Sequence, residues 1–165
     1  MGLMGAGKTT VGRECAGRLA RDFVDTDDVV SALAGVSIPE VFDSGGEARF
    51  RELERQAVAD VCASPAPLVI ACGGGAVLDP ENRRRLRDAG FVVWLRAPSG
   101  VLRERVGDGD GRPLLTGDVG AGLERLTVLR ADAYAAAAHA RVETEDLGIA
   151  EVAAEVVSAF EEAAG

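Results

Sequence analysis

Short apolar runs alternate along the chain with longer segments in which apolar residues recur at helical spacing. Four runs have the length and composition of β-strands: residues 23–25, 68–72, 91–95 and, more weakly, 140–144. Strands separated by helices predict an α/β fold with a parallel sheet flanked by helices. Ligands of such sheets bind at the carboxyl ends of the strands, so the residues that follow each run are the first candidates for function.

Polar residues mark the predicted starts of several helices. Ser37 and Glu40 have the spacing of a capping box, Asp79 precedes a proline, and Ser99 is placed to cap a further helix. Residues 149–160 carry apolar side chains at helical spacing. They predict an amphipathic closing helix that packs on the core.

Composition limits the classes of function. The chain has 165 residues, of which 47% are hydrophobic, and this suits a single domain over residues 1–165. A formal net charge of −9 argues against a general binder of nucleic acids or membrane surfaces, because both are anionic. Cys15, Cys62 and Cys72 lack metal-ligand spacing and indicate reduced thiols. With no signal peptide and no apolar run of about 20 residues, we expect a cytoplasmic protein.

A phosphate-binding loop opens the chain. Residues 2–9 match the pattern G-x-x-x-x-G-K-[ST], and Lys8 is the one lysine beside 17 arginines. Glycines allow the backbone to curl round phosphates, and the lysine ammonium reaches between the β- and γ-phosphates of a nucleotide. The pattern predicts binding of a nucleoside triphosphate, with the Thr9 hydroxyl on Mg²⁺; a glycine-rich turn that matches by chance is the alternative. The predicted nucleotide-binding residues of this segment are Gly5, Ala6, Gly7, Lys8, Thr9 and Thr10.

Two carboxylates, Asp25 and Asp27, follow the first predicted strand. One of them can hold magnesium-bound water while the other faces a substrate hydroxyl, a division of roles that phosphoryl transfer uses. A solvated turn explains such a pair equally well.

Two further features suit an anionic substrate. Arg51 lies on a predicted helix, where its guanidinium can pair with a substrate carboxylate through two parallel hydrogen bonds. The alternative for Arg51 is a helix ion pair with Glu54. Residues 73–75 are three glycines directly after the run 68–72, and they permit close backbone approach to a ligand; a tight strand-to-helix turn is the alternative.

Taken in order, these motifs resemble the shikimate kinase family. The resemblance runs from Gly2 to about Tyr134, and several short motifs at compatible spacing carry it together. The motifs are the phosphate loop, Asp25-Thr26-Asp27, Phe50-Arg51 with Glu54, Gly73-Gly74-Gly75-Ala76-Val77, Arg112-Pro113-Leu114-Leu115, and Arg130 with Tyr134.

The resemblance implies a fold and an activity. The fold is the three-layer P-loop kinase fold of nucleoside monophosphate kinases, with substrate-binding helices at about 27–60 and a lid at about 107–120. The activity is magnesium- and ATP-dependent phosphorylation of the 3-hydroxyl of shikimate, which gives shikimate 3-phosphate for the chorismate and aromatic amino-acid pathway. The implied partners are ATP and shikimate, and we expect a monomer.

The resemblance also implies residue roles. Asp27 binds the substrate hydroxyls and accepts the reacting proton, and Asp25 holds the metal through water. Arg51 and Arg130 clamp the shikimate carboxylate, with backbone N–H groups from Gly73, Gly74 and Gly75. Arg112 on the lid reaches the transferring phosphate, so Lys8, Asp27 and Arg112 form the implied catalytic set. Arg105 is expected to stack on adenine, with Arg103 as an equally good alternative.

The sequence departs from the family pattern in two places. An arginine and a proline that often follow the last strand are replaced by the run 142–147, so the adenine contacts there are not assigned. A phosphate loop normally follows a buried strand, yet only Met1 precedes Gly2, so we expect either that the start of the sequence is placed too late or that the fold lacks its first strand. A gluconate or nucleoside monophosphate kinase, and a truncated nucleotide-binding module with little turnover, are the alternative functions.

Overall fold

The computed structural model describes residues 1–107 and 118–165. Its helices and strands alternate as the apolar pattern predicts. In chain order they are α1 (Lys8–Leu19), β1 (Asp22–Asp25), α2 (Thr26–Ala34), α3 (Ile38–Cys62), β2 (Leu68–Ala71), a 3-10 turn (Ala76–Leu78), α4 (Pro80–Ala89), β3 (Val93–Arg96), α5 (Ser99–Val106), α6 (Val119–Ala137), β4 (Ala140–Glu143) and α7 (Ile149–Ala164).

The parallel sheet is present but divided. In the described part of the chain, β1 pairs with β2 from Asp22 opposite Leu68, and β3 pairs with β4 from Val93 opposite Ala140. Both pairs are parallel, and no strand joins them into one sheet within these residues. The predicted α/β class is confirmed, and the sheet consists of two parallel ribbons.

Local sequence accounts for most helix starts. Asp79 caps α4 by accepting from the backbone N–H groups of Glu81 and Asn82, and Pro80 takes the first helical position. Glu40 accepts from the backbone N–H of Ser37, as a capping-box glutamate does. The prediction for Ser99 is wrong, because Pro98 occupies the capping position and Ser99 is already the first residue of α5.

Two apolar clusters hold the elements together. The larger one joins α1, β3, α6 and α7. Among its fully buried members are Val58, Val77, Leu102, Leu123 and Val152. The smaller one packs α2 against α3 around Val30 and Phe50. Helix α3 kinks at Gly46, where φ is 65°, a left-handed backbone conformation that glycine adopts without strain.

None of the described helices is long and apolar enough to cross a membrane.

Candidate active site

The phosphate loop leads directly into α1. Gly7 caps this helix with φ 84°, and Gly5 has φ 79°, so both positions use backbone that side chains rarely adopt. A Cβ atom at Gly5 would also lie 3.0 Å from Leu102 O. The Lys8 ammonium folds back over the loop and donates to Leu3 O at 3.0 Å. The loop therefore presents a cation and a positive helix end to one cavity.

This cavity has a volume of about 730 Å³ and lies over the loop. Such a volume falls within the range of about 300–1,000 Å³ that small-molecule sites have. Its walls come from the loop, the end of β1 and the segment that leads into α7. Lining residues with polar side chains are Lys8, Thr9, Thr10, Asp25, Asp27, Arg105 and Thr144.

Asp25 organises the carboxylate end of β1. Its Oδ2 accepts from the Thr9 hydroxyl at 2.7 Å. Its Oδ1 accepts from the backbone N–H of Asp27 at 3.1 Å and thereby caps α2. The strand end, the phosphate loop and the start of α2 are thus joined through one carboxylate. The three oxygens of Thr9 and Asp25 are hard donors of the kind that Mg²⁺ prefers.

Asp27 faces inward from the first turn of α2. Its Oδ1 is buried and has no hydrogen-bond partner among the described residues. Burial raises the pKa of the Asp27 carboxyl, the Asp25 and Asp28 carboxylates raise it further, and Lys8 and Arg51 lower it. The Asp27 carboxylate therefore lies between Lys8 of the phosphate loop and Arg51 of α3. Such a buried, unpartnered oxygen is placed to accept a hydrogen bond from a ligand.

Arg51 is held by two glutamates on its own helix. Its Nη1 lies 2.7 Å from Glu54 Oε2, and its Nη2 lies 3.0 Å from Glu47 Oε1. The ion pair with Glu54 that the spacing allowed is therefore present. Glu54 is 2% exposed, and its other oxygen, Oε1, has no partner among the described residues. Burial raises the pKa of the Glu54 carboxyl, and Arg51 opposes that rise.

The glycine run 73–75 lies beside these groups. A Cβ atom at Gly73 would lie 2.7 Å from Asp27 Oδ1 and 3.2 Å from Glu54 Oε1. Any larger residue at this position would displace both carboxylates. The Gly73 N–H donates to the buried Thr26 hydroxyl at 2.9 Å. The roles of Gly73, Gly74 and Gly75 as backbone donors to substrate stay predictions.

Arg130 and Tyr134 close the other side of the glycine run. They lie one turn apart on α6, and they are 3% and 1% exposed. A Cβ atom at Gly74 would lie 3.3 Å from Arg130 Nη1. The Tyr134 hydroxyl donates to Gly74 O at 2.6 Å, and its ring stacks on Trp94 at 5.4 Å. Burial raises the pKa of Tyr134 to about 12.

Arg105 lies at the edge of the phosphate-loop cavity. Its Nη1 donates to Thr144 Oγ1 at 3.0 Å and its Nη2 donates to Thr144 O. A longer contact of 3.5 Å reaches Gly5 O. The guanidinium therefore links the segment after β4 to the phosphate loop. Stacking of this group on adenine stays a prediction.

Similarity to known proteins establishes the family of this chain. A family model described as shikimate kinase matches residues 4–161. The chain belongs to the shikimate kinase family. It is 46% identical to the shikimate kinase of Symbiobacterium thermophilum over 98% of its own length and 94% of that protein. It is 47% identical to the shikimate kinase of Dechloromonas aromatica over 89% of its own length and 80% of that protein.

Solved structures agree with the family assignment. The shikimate kinase of Acinetobacter baumannii in complex with shikimate superposes with a TM-score of 0.94 at 34% identity, over 98% of this kinase and 90% of that chain. A gluconokinase from Sinorhizobium meliloti has a TM-score of 0.63 at 17% identity. The second likeness shows a shared fold alone.

The structure of this kinase brings most of the predicted site residues together. Lys8, Thr9 and Asp25 surround one end, and Asp27 lies between them and Arg51. Arg112 and most of the predicted lid at 107–120 lie outside the described residues. The sequence did not indicate roles for Thr26 and Thr144. Their buried hydroxyls accept hydrogen bonds from Gly73 N–H and Arg105, and contacts between such distant segments leave no local pattern.

Proposed function

We propose that this chain transfers the γ-phosphoryl group of ATP to the 3-hydroxyl of shikimate. The observation that carries the proposal is the position of Asp27 between the phosphate loop and the arginines that flank the glycine run, with a buried Oδ1 that has no hydrogen-bond partner in the described part of the chain. The site has a cationic end for triphosphate, a carboxylate in the middle and a second cationic end for an anionic substrate.

Arg51 and Arg130 bind the substrate carboxylate. Shikimate carries one carboxylate and a ring of hydroxyls, so its site needs planar cations at one end and acceptors at the other. Arg51 approaches the glycine run from α3 and Arg130 from α6. Glu54 is buried and fixes the orientation of Arg51, whereas the exposed Glu47 can give way to the substrate. The backbone N–H groups of Gly74 and Gly75 support the same end.

Asp27 accepts the hydrogen of the reacting hydroxyl. The 3-oxygen of shikimate attacks the γ-phosphorus, the bond from that phosphorus to the β,γ-bridging oxygen breaks, and ADP leaves with the bridging oxygen. The hydroxyl proton passes to Asp27 as the new bond forms. A pKa raised by burial makes the Asp27 carboxylate a better proton acceptor than an exposed one.

Lys8 and the start of α1 neutralise the phosphates. In the present geometry the ammonium donates to Leu3 O, a backbone acceptor that triphosphate oxygens can replace. The left-handed glycines on either side of Ala6 bring backbone N–H groups close to the same cavity. Arg112, which the family resemblance places on the lid, supplies further positive charge in this proposal.

Mg²⁺ fits the oxygen donors at the end of β1. Thr9 would bind the ion directly through its hydroxyl, and Asp25 would bind it through water. Their present hydrogen bond of 2.7 Å keeps the two groups on the same side of the loop. When bound, the ion neutralises charge on the β- and γ-phosphates. We also propose that the protein is a monomer, since one chain supplies every residue named above. We further propose that it acts in the cytoplasm.

A coupled ADP-release assay tests the proposal. The 165-residue chain is given ATP and Mg²⁺ with shikimate, gluconate or AMP as acceptor. We expect release that depends on shikimate and stays at background with the other two acceptors. Release with gluconate or AMP but not with shikimate would assign the chain to another small-molecule kinase. ATP binding without release for any acceptor would favour a binding module without turnover.

A further inference from the structure

The 3-10 turn Ala76–Leu78 joins the glycine run to the start of α4. Two backbone hydrogen bonds tie this turn to the run. Ala76 N–H donates to Gly73 O at 3.1 Å. Leu78 N–H donates to Gly75 O at 2.9 Å. Because of these bonds, a displacement of the turn also displaces the glycines of the run.

Side chains from the first turn of α4 bind all three carbonyl groups of the 3-10 turn. Asn82 Nδ2 donates to Ala76 O at 3.1 Å. Arg83 Nη1 donates to Val77 O at 2.6 Å and to Leu78 O at 3.2 Å. Asn82 is fully buried and Arg83 is half-buried. Helix α4 therefore holds the turn through one buried amide and one guanidinium nearer the surface.

The Asn82 amide is only partly satisfied. The side chain is 0% exposed, and its Oδ1 has no hydrogen-bond partner in the described part of the chain. A buried acceptor without a partner lowers stability, whereas leucine has a similar size and no such acceptor. What the amide supplies and leucine lacks is a donor, and this donor binds Ala76 O.

The glycine run is also held on its other side. Gly73 N–H donates to the Thr26 hydroxyl at 2.9 Å, and Gly74 O accepts from the Tyr134 hydroxyl at 2.6 Å. The N–H groups of Gly74 and Gly75 take part in none of these bonds. The surrounding bonds therefore fix the direction of these two N–H groups.

Gly74 and Gly75 lie against the two arginines of the site. A Cβ atom at Gly74 would lie 3.3 Å from Arg130 Nη1, and a Cβ atom at Gly75 would overlap Arg51 Nη1. A carboxylate bound by these guanidinium groups would therefore lie close to the backbone of the run. Hydrogen bonds weaken steeply as their angle and distance depart from the optimum, so a small displacement of the run would weaken this end of the site.

We propose that Asn82 is a positioning residue for the substrate carboxylate. The inference rests on the proposed function, in which Gly74 and Gly75 donate to that carboxylate. Asn82 fixes the 3-10 turn, the turn fixes the run, and the run presents its N–H groups beside the arginines. Loss of the amide donor should weaken substrate binding and leave the rate of the chemical step unchanged, because Asn82 contacts neither substrate nor nucleotide.

Two substitutions and a matched control on α4 test the proposal. Asn82→Leu keeps the size of the side chain but removes its donor. Arg83→Met keeps a long side chain but removes the other donor to the turn. Arg84→Ala breaks exposed ion pairs on the same helix and is the control. Each variant is compared with the 165-residue wild type in steady-state kinetics, calorimetric binding of shikimate, thermal unfolding and amide exchange.

The losses should be confined to shikimate. We expect KM and Kd for shikimate to rise about tenfold in Asn82→Leu and about threefold in Arg83→Met, while kcat and KM for ATP stay within about twofold. The amides of Ala76 and Leu78 should exchange about tenfold faster in Asn82→Leu, because the turn opens more often. The unfolding temperature of this variant should not fall by more than about 4 °C. Arg84→Ala should match the wild type.

Several results would overturn the inference. One is a KM for shikimate within about twofold of wild type in both Asn82→Leu and Arg83→Met. Another is an equal rise in KM for ATP, which would make the contact structural only. If Asn82→Leu fails to fold, the same measurements on Arg83→Met decide. The wild type tests the proposed function separately: a wild-type chain that does not bind shikimate would overturn that function and this inference together.

Discussion

Arg51 and Glu54 form an ion pair across one turn of α3, with 2.7 Å between Nη1 and Oε2. Glu54 is buried, whereas Glu47, the second partner of Arg51, is a surface carboxylate. One side of the guanidinium is therefore fixed from inside the protein, and the other is bound by a group that water and substrate can displace. This asymmetry orients Arg51 toward the glycine run and leaves donors for an incoming carboxylate.

The first prediction concerns the planar guanidinium group of Arg51. Arg51→Lys keeps the charge but loses the paired hydrogen bonds, so KM for shikimate should rise by about tenfold, equivalent to ~1.4 kcal/mol. KM for ATP should stay unchanged. Steady-state kinetics with each substrate varied in turn measures both. Arg49→Lys is the control, because Arg49 forms an exposed pair with Glu52 on the same helix; an equal effect on both KM values would make Arg51 structural.

Asp27 is predicted to act in turnover. Asp27→Asn preserves size but removes the proton acceptor, so kcat should fall by about 10²–10⁴-fold. ATP binding, measured by calorimetry, should change little. Asp28→Asn removes the same charge from the adjacent exposed position and should retain near-normal kcat. Wild-type turnover by Asp27→Asn would remove this carboxylate from the mechanism.

The same substitution should stabilise the fold at neutral pH. The folded-state pKa of Asp27 is raised by burial, so the folded protein favours the protonated carboxyl and its ionisation lowers the free energy of unfolding. That cost is absent below the unfolded pKa of about 3.9 and is fully present above the raised folded-state value. Asp27→Asn should therefore gain stability relative to wild type as pH rises from 4 to 7. Denaturant unfolding across this range measures the difference, and a difference that shrinks with rising pH would contradict it.

Tyr134 should position the glycine run. Tyr134→Phe keeps the ring on Trp94 but removes the donor to Gly74 O, at a cost of about 1–2 kcal/mol in unfolding free energy. KM for shikimate should rise severalfold, because Gly74 lies between this hydroxyl and Arg130. Thermal unfolding and shikimate kinetics test the two effects. Loss of stability with unchanged KM would make Tyr134 a packing residue only.

Local patterns predicted the strands closely because each is a short apolar run with clear limits. The predicted strand 91–95 was the least accurate, since β3 covers Val93–Arg96. Phe91 instead stacks on His139, whose Nδ1 accepts from Val92 N, and a contact between distant segments of this kind leaves no trace in periodicity. The Ser99 prediction failed for a local reason, because the adjacent Pro98 occupies the capping position and Ser99 is already the first residue of α5.

The sequence indicated the individual residues of the site but not the contacts between them. Motifs named Asp27, Arg51 and Arg130 separately. Their approach to the glycine run depends on how α2, α3 and α6 pack, which residue spacing does not determine. The hydrogen bond from Gly73 N–H to the Thr26 hydroxyl is an example. A glycine-rich segment indicates that another group comes close to the backbone, but it does not identify that group.

The position of the new phosphate ester tests the central claim most directly. The 165-residue chain is incubated with ATP, Mg²⁺ and shikimate, and the product is analysed by phosphorus and proton NMR. Lys8→Ala serves as the inactive control, and Arg18→Ala, which removes an exposed ion pair on the same helix, as the active one. We predict a single phosphomonoester whose phosphorus couples to the proton on C3 of shikimate, formed at least about 100-fold more slowly by Lys8→Ala. Inorganic phosphate as the only product, an ester on another hydroxyl, or undiminished transfer by a folded Lys8→Ala variant would contradict the account.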